Sequence, residues 1–145
     1  DYVGGGPLDG AGGTCDAVIM AAAVSDYRPK CVADHKINSD EDTLTLRLVR
    51  SPKILPQLRG FSPRPIKVVG FKLTVGADKS AREEAVRNQF EKAGVDVVVQ
   101  NDLDEIRSSD EHLFRWFSSA DECRDLSGVP ALTTALDDFL QEEHA

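Results

Sequence analysis

The side chains best suited to chemistry stand at the ends of apolar runs. Ser25-Asp26 follows the run Asp16 to Ala23, Lys72 closes Lys67 to Leu73, and Asn101-Asp102 follows Val95 to Gln100. A carboxylate or an amide orients a polar ligand, and a lysine offsets anionic charge. Open parallel sheets bind ligands outside the carboxyl ends of their strands, so three such groupings predict a cleft there. Taken singly, each also reads as loop chemistry, because Asp26 and Asp102 can cap turns and Asn101 can hold a tight loop.

Charge is unevenly spread. Residues 28–72 hold ten basic side chains against four acidic ones, a net +6, whereas the remaining residues sum to −14. The whole chain, with 17 Lys and Arg against 25 Asp and Glu, is no general polyanion binder, so no nucleic-acid partner is expected. A basic segment inside an acidic chain fits a local pocket for a small anion, and equally a set of solvated loop charges. Cys15, Cys31 and Cys123 are odd in number and form no C-x-x-C pair, and His35, His112 and His144 share no metal spacing. Neither a disulfide framework nor a protein-made metal site is expected, and reduced thiols favour the cytoplasm.

Secondary structure must position these groups. Asp16 to Ala23 reads as a strand buried on both faces. Lys36-Ile37 and Thr43 to Val49, separated by the acidic turn Ser39 to Asp42, read as a hairpin projecting from the sheet. Ser51 can cap and Pro52 can open a helix that Pro56 keeps short. Lys67 to Leu73 and Val95 to Gln100 flank an amphipathic helix from Asp78 to Ala93 with Gly94 as its left-handed cap, a βαβ unit that implies a parallel sheet. Leu113 to Phe117 suggests an edge strand, and Leu132, Leu136, Phe139 and Leu140 line a last helix after Pro130. At 145 residues, 41% hydrophobic and 29% charged, the chain supports one domain with a real core, residues 15–145, after a flexible glycine-rich lead at 1–14. The longest apolar run is too short to span a bilayer, so no membrane association is expected.

Several strings then occur in a fixed order: Ala21-Ala22-Ala23-Val24-Ser25-Asp26-Tyr27-Arg28-Pro29, His35-Lys36-Ile37, Leu44-Thr45-Leu46, Ser51-Pro52-Lys53-Ile54-Leu55, Val69-Gly70-Phe71-Lys72-Leu73, and Val95 to Leu103 ending in Asn101-Asp102-Leu103. As a set they resemble phosphopantothenate-cysteine ligase, from about Asp16 to the C-terminus. The continuation from Asp102 to His112 looks most like the stand-alone bacterial synthetases. Together with the elements above, the resemblance implies a Rossmann-like three-layer α/β/α fold with a mainly parallel sheet and a projecting β-hairpin.

The resemblance implies a ligase that couples 4'-phosphopantothenate to cysteine in coenzyme A synthesis through a CTP-derived acyl-cytidylate. Met20, Ala21 and Ala22 would lie against the nucleotide, with Asp26 in polar contact. Lys36 would be the catalytic lysine, offsetting charge on the α-phosphate. Pro52, Lys53, Ile54 and Leu55 would form part of the nucleotide pocket, Phe71 would pack on the nucleotide, and Lys92 would give a second phosphate contact. Magnesium would come bound to the triphosphate, and the family implies a homodimer. Asn38 stands where the family often has another lysine. The family's opening strand, Gly/Thr-rich loop and asparagine segment are not reproduced in the glycine-rich lead, so the chain is expected to be the C-terminal, nucleotide-side part and inactive alone. The alternative is a non-catalytic α/β nucleotide-binding or interaction module. A short-chain dehydrogenase fragment ranks behind both, since Tyr27 and Lys30 are three residues apart with Pro29 between them.

Overall fold

Runs of β-branched residues that alternate between two apolar faces make the centre of a sheet, and the chain supplies two of them in sequence. The computed structural model describes residues 15–37 and 42–142. In chain order these form β1 (Ala17–Met20), β2 (Tyr27–Pro29), β3 (Leu48–Arg50), a 3-10 helix (Leu55–Phe61), β4 (Lys67–Thr74), α1 (Lys79–Ala93), β5 (Val97–Asp102), α2 (Leu103–Ser108), β6 (Leu113–Phe117), β7 (Cys123–Ser127) and α3 (Gly128–Gln141). They fall into two compact units, one of residues 15–21 and 55–142 and the other from the described part of 22–54.

The larger unit is a five-stranded sheet in the order β1-β4-β5-β6-β7. β1, β4 and β5 run parallel, and β6 and β7 add antiparallel pairs. Val69, Val97, Val99, Phe114 and Trp116 face one side, where Leu132, Ala135, Leu136 and Phe139 of α3 cover them. Val68, Val98 and Phe117 face the other side, under Val86 and Phe90 of α1 and Leu55, Leu58 and Phe61 of the 3-10 helix. The result is a Rossmann-like three-layer α/β/α arrangement around a mixed sheet.

Local chemistry fixes the ends. The Asp78 carboxylate accepts from the Ala81 N–H at 2.8 Å to open α1, and Gly94 at φ 61° closes it. Arg59 donates to the carbonyls of Gly94 and Ile66, both at 2.8 Å, and to Asp96 at 2.7 Å, pinning the 3-10 helix to the amino edge of the sheet. Lys67, the first residue of β4, donates to the carbonyls of Phe139 and Glu142 and lies over the Phe139 ring, so a nearly buried cation satisfies the end of α3.

Several expectations change. β1 ends at Met20, and as an edge strand it leaves Ile19 42% exposed rather than buried on both faces. Ala21 to Ala23 are exposed and outside the strand. The hairpin exists, but its paired strands are β2 and β3 in the register Arg28 to Val49, not Lys36-Ile37 with Thr43 to Val49. The ladder continues by one bond at each end, Lys30 N–H to Arg47 O toward the tip and Ser51 N–H to Asp26 O toward the base. Residues 38–41, most of the expected turn, lie outside the described residues, as does the lead at 1–14. The helix expected at Ser51 begins four residues later as a 3-10 helix at Leu55. Pro56 disfavours α-helical geometry in the residue before it and fits the first turn itself. β5 is shifted two residues onward, to Val97–Asp102. α2 and β7 were not foreseen.

Candidate functional site

In the larger unit, β4 and β5 bring Lys72, Thr74, Asn101 and Asp102 to the carboxyl edge of the sheet, in the registers Lys72 to Gln100 and Thr74 to Asp102. Asp102 is only 2% exposed, and both of its oxygens are engaged. Oδ1 accepts from the N–H groups of Gly76 at 2.9 Å and Asp104 at 3.0 Å, and Oδ2 accepts from Thr74 Oγ1 at 2.6 Å and the Ala77 N–H at 3.1 Å. The Thr74 hydroxyl first, then the backbone donors, hold this carboxyl far below the usual carboxylate range against the opposing effect of burial.

A polar chain extends from it. The fully buried Gln100 donates to Thr74 Oγ1 at 2.8 Å and accepts from Arg115 at 3.4 Å. Arg115 grips Glu105 through two bonds, at 2.7 and 2.9 Å. That pair lowers the Glu105 pKa and raises that of Arg115. Arg82 reaches Glu105 at 3.4 Å and donates to the Ala77 carbonyl at 2.9 Å. Nearby, the Asn101 amide lies 3.0 Å from His112 Nε2, and His112 stacks on Phe114.

In the smaller unit, Asp26, Tyr27, Arg50, Ser51 and Lys53 line an open hollow of about 220 Å³. β2 carries Tyr27 and β3 carries Arg50 as direct partners, so the hairpin base sets the floor. Asp26 and Lys53, 27 residues apart, form an ion pair across it. Both are largely exposed, so the pair contributes at most about 1 kcal/mol to folding. It therefore defines the charge of the hollow more than it holds the unit together.

The residues expected to bind are spread over these two units. Asp26, Pro52, Lys53 and Ile54 belong to the smaller unit, as do exposed Lys36 and Ala22. Met20 and Leu55 pack against the core beneath α1, and Phe71 packs against the core beneath α3. Lys92 lies in the last turn of α1, at the amino edge of the sheet. A 15-residue helix is about 22 Å long, so Lys92 stands far from the carboxyl edge where β4 and β5 present their polar ends. Residue reading alone missed Tyr27, Arg50 and Ser51 of the hollow and the chain Thr74, Gln100, Arg115, Glu105 and Arg82. Two signals were available: a glutamine ending a valine run and an arginine inside Leu113 to Phe117 both need buried partners. Among the described residues, no group of three His, Cys, Asp or Glu is placed to hold a metal.

A family model described as the DNA/pantothenate metabolism flavoprotein C-terminal domain matches residues 9–127. The chain is 43% identical over 88 residues to the coenzyme A biosynthesis bifunctional protein CoaBC of Thermococcus kodakarensis, covering 61% of this chain and 21% of that protein. It resembles the solved DNA/pantothenate metabolism flavoprotein from Streptococcus pneumoniae with a TM-score of 0.74 at 23% identity, over 89% of this chain and 64% of that one. A Cab2 mutant in complex with phosphopantothenate-cysteine superimposes with a TM-score of 0.60 at 20% identity, over 83% of this chain and 44% of that one. The chain spans about a fifth to a third of the length of the curated relatives it matches. Those relatives are bifunctional, so they lend no support to the finer likeness to stand-alone synthetases.

Proposed function

Because the chain belongs to the DNA/pantothenate metabolism flavoprotein C-terminal domain family, we propose that it is the nucleotide-side part of a ligase that joins 4'-phosphopantothenate to cysteine, using CTP. In the first step a substrate carboxylate oxygen bonds to the α-phosphorus of CTP, and the bond to pyrophosphate breaks. In the second, the cysteine amine bonds to the acyl carbon, CMP departs with the electron pair of the broken bond, and the amine proton passes to solvent. Lys36 offsets the charge that grows on the α-phosphate. Magnesium arrives on the triphosphate, so the chain needs no ligand set of its own. The protein works in the cytoplasm as a homodimer paired through the hairpin unit, whose Leu44, Leu46 and Leu48 are exposed.

The observation that carries this reading is the meeting of two distant strings. Asp26 and Tyr27 from one string and Arg50, Ser51 and Lys53 from the other line one hollow with both signs of charge. Such a hollow suits a polar nucleotide better than an apolar ligand. Thermal melts with CTP and magnesium, ATP and magnesium, and pyrophosphate test it. A ligand that binds only the folded state at a hundredfold excess over Kd adds about 2.7 kcal/mol of apparent stability. CTP is expected to raise the melting temperature most. Equal shifts with all three remove base recognition, and no shift with any leaves a non-catalytic module.

A further inference from the structure

We infer that one side of the hairpin in the smaller unit, carrying Arg28, Lys30 and Arg47, is a binding surface for an oligophosphate, either the free ion or the tail of a nucleotide. Direct partners in an antiparallel ladder point to the same side, and the side alternates from one pair to the next. Arg28 with Val49 and Lys30 with Arg47 therefore share a side with Asp26 and Ser51, the pair at the base. Tyr27, Pro29, Leu48 and Arg50 occupy the opposite side. One ribbon thus separates a side that bears exposed Tyr27 and Leu48 from a cationic one.

The three cations stand in a triangle. Successive residues on one side of a strand are about 7 Å apart, bonded cross-strand partners about 5.5 Å and diagonal neighbours about 7 to 8 Å, so their long stems can bring all three heads onto one multiply charged group. Without an anion the arrangement costs stability, because Lys30 and Arg47 are like charges directly opposite each other. All three cations are exposed, and among the described residues no ion pair engages any of them. Asp26, at the base of the same side, is bonded to Lys53. The cluster has the opposite sign to a chain of net charge −8, and an anion of several charges relieves its repulsion on binding. Asp26 and Ser51 also line the hollow, so the cationic side leads directly out of it. A nucleotide seated in the hollow would lay its phosphates along Arg28 toward Lys30 and Arg47. This extension rests on the nucleotide reading above; the oligophosphate surface does not.

Calorimetric titration of the full chain with inorganic tripolyphosphate, CTP and cytidine, each with and without magnesium, tests both points. Arg28→Gln, Lys30→Gln and Arg47→Gln are compared singly and together, with Lys79→Gln as a control that removes the same charge from an 84% exposed side chain on α1 of the larger unit. Each single change on the hairpin is expected to weaken tripolyphosphate about fivefold and the three together about fiftyfold or more, whereas Lys79→Gln should stay within about twofold. No tripolyphosphate binding, or equal weakening by Lys79→Gln, overturns the surface. Melting curves separate binding from support of the fold. Without an anion Lys30→Gln should melt at the same temperature or higher, since it relieves a like-charge contact, and with tripolyphosphate the unaltered chain should gain more. A lower melting temperature for Lys30→Gln without an anion, at unchanged tripolyphosphate affinity, also overturns the surface. CTP that binds more tightly than tripolyphosphate and cytidine, and is weakened by the same substitutions, supports the extension. CTP binding indifferent to those substitutions overturns the extension and leaves the nucleotide reading standing. CTP that binds no more tightly than tripolyphosphate refutes the nucleotide reading and leaves the free oligophosphate as the ligand of this surface.

Discussion

Gly70 lies in β4, and any side chain there meets an occupied space. A Cβ built on it would stand 2.4 Å from Gln89 Nε2 and 3.3 Å from both Gln89 Cδ and Leu55 Cδ2. Overpacking of this kind costs roughly 1 to 3 kcal/mol, against which alanine regains about 0.5 to 1 kcal/mol of strand preference over glycine. Gly70→Ala should therefore lose up to about 2.5 kcal/mol. Gln89 can yield only by giving up its long 3.4 Å bond to the Phe71 carbonyl, and its Oε1 is already buried without a partner. Gln89→Ala removes both the obstacle and that unsatisfied oxygen. In this background Gly70→Ala should be neutral or stabilising by up to about 1 kcal/mol, so the two changes couple by about 1 to 3 kcal/mol, the overpacking cost itself. Urea unfolding followed by the fluorescence of the sole tryptophan, Trp116, which is buried in the sheet, measures all four species. An equal loss from Gly70→Ala in both backgrounds refutes the steric argument.

Lys36→Gln, at an exposed site, should leave the melting temperature unchanged and slow pyrophosphate release by about 10²- to 10³-fold, assayed in a protein that also contains the phosphopantothenate-binding part. Normal release would remove the lysine from the chemistry. Leu46→Asp should shift sedimentation at micromolar concentration from dimer to monomer, and a chain that is monomeric with or without the change refutes pairing through the hairpin. Glu105 is held below its ordinary pKa of 4.5, chiefly by hydrogen bonds from Arg115. Its contribution is therefore complete at neutral pH and is lost as pH falls below 4.5 through the folded-state value. Melting curves taken from neutral pH to about pH 3 should show a shallower acid limb in Arg115→Met than in the unaltered chain.

Local pattern made the parallel core legible. Contiguous valines in β4 and β5, an aspartate before Lys79 and a glycine after Ala93 each specify an element without outside help. The hairpin was misplaced because Thr43 to Val49 alternates like a strand, whereas pairing is decided by its partner, and Tyr27 to Pro29 carries no alternating signal. α2 escaped because it is only six residues long, too short for an apolar period to show, although Asp102 caps it locally through the Asp104 N–H. Asp26 and Lys53 were each singled out as separate strings, yet nothing in either announces that they meet. The buried links through Gln100 and Arg115 depend on strand register, which composition does not encode.

Lys67 closes the last turn of α3 from 72 and 75 residues away in the chain. At about 5 to 20 residues per second, the ribosome releases β4 roughly 4 to 15 s before the carbonyls that receive this ammonium group. During that interval α1 can already cover one face of β4 and β5, while Val69, Val97 and Val99 on the other face await α3. The nascent chain therefore passes through a one-sided sheet with a bare valine surface, the state in which a chaperone or a neighbouring chain would find it.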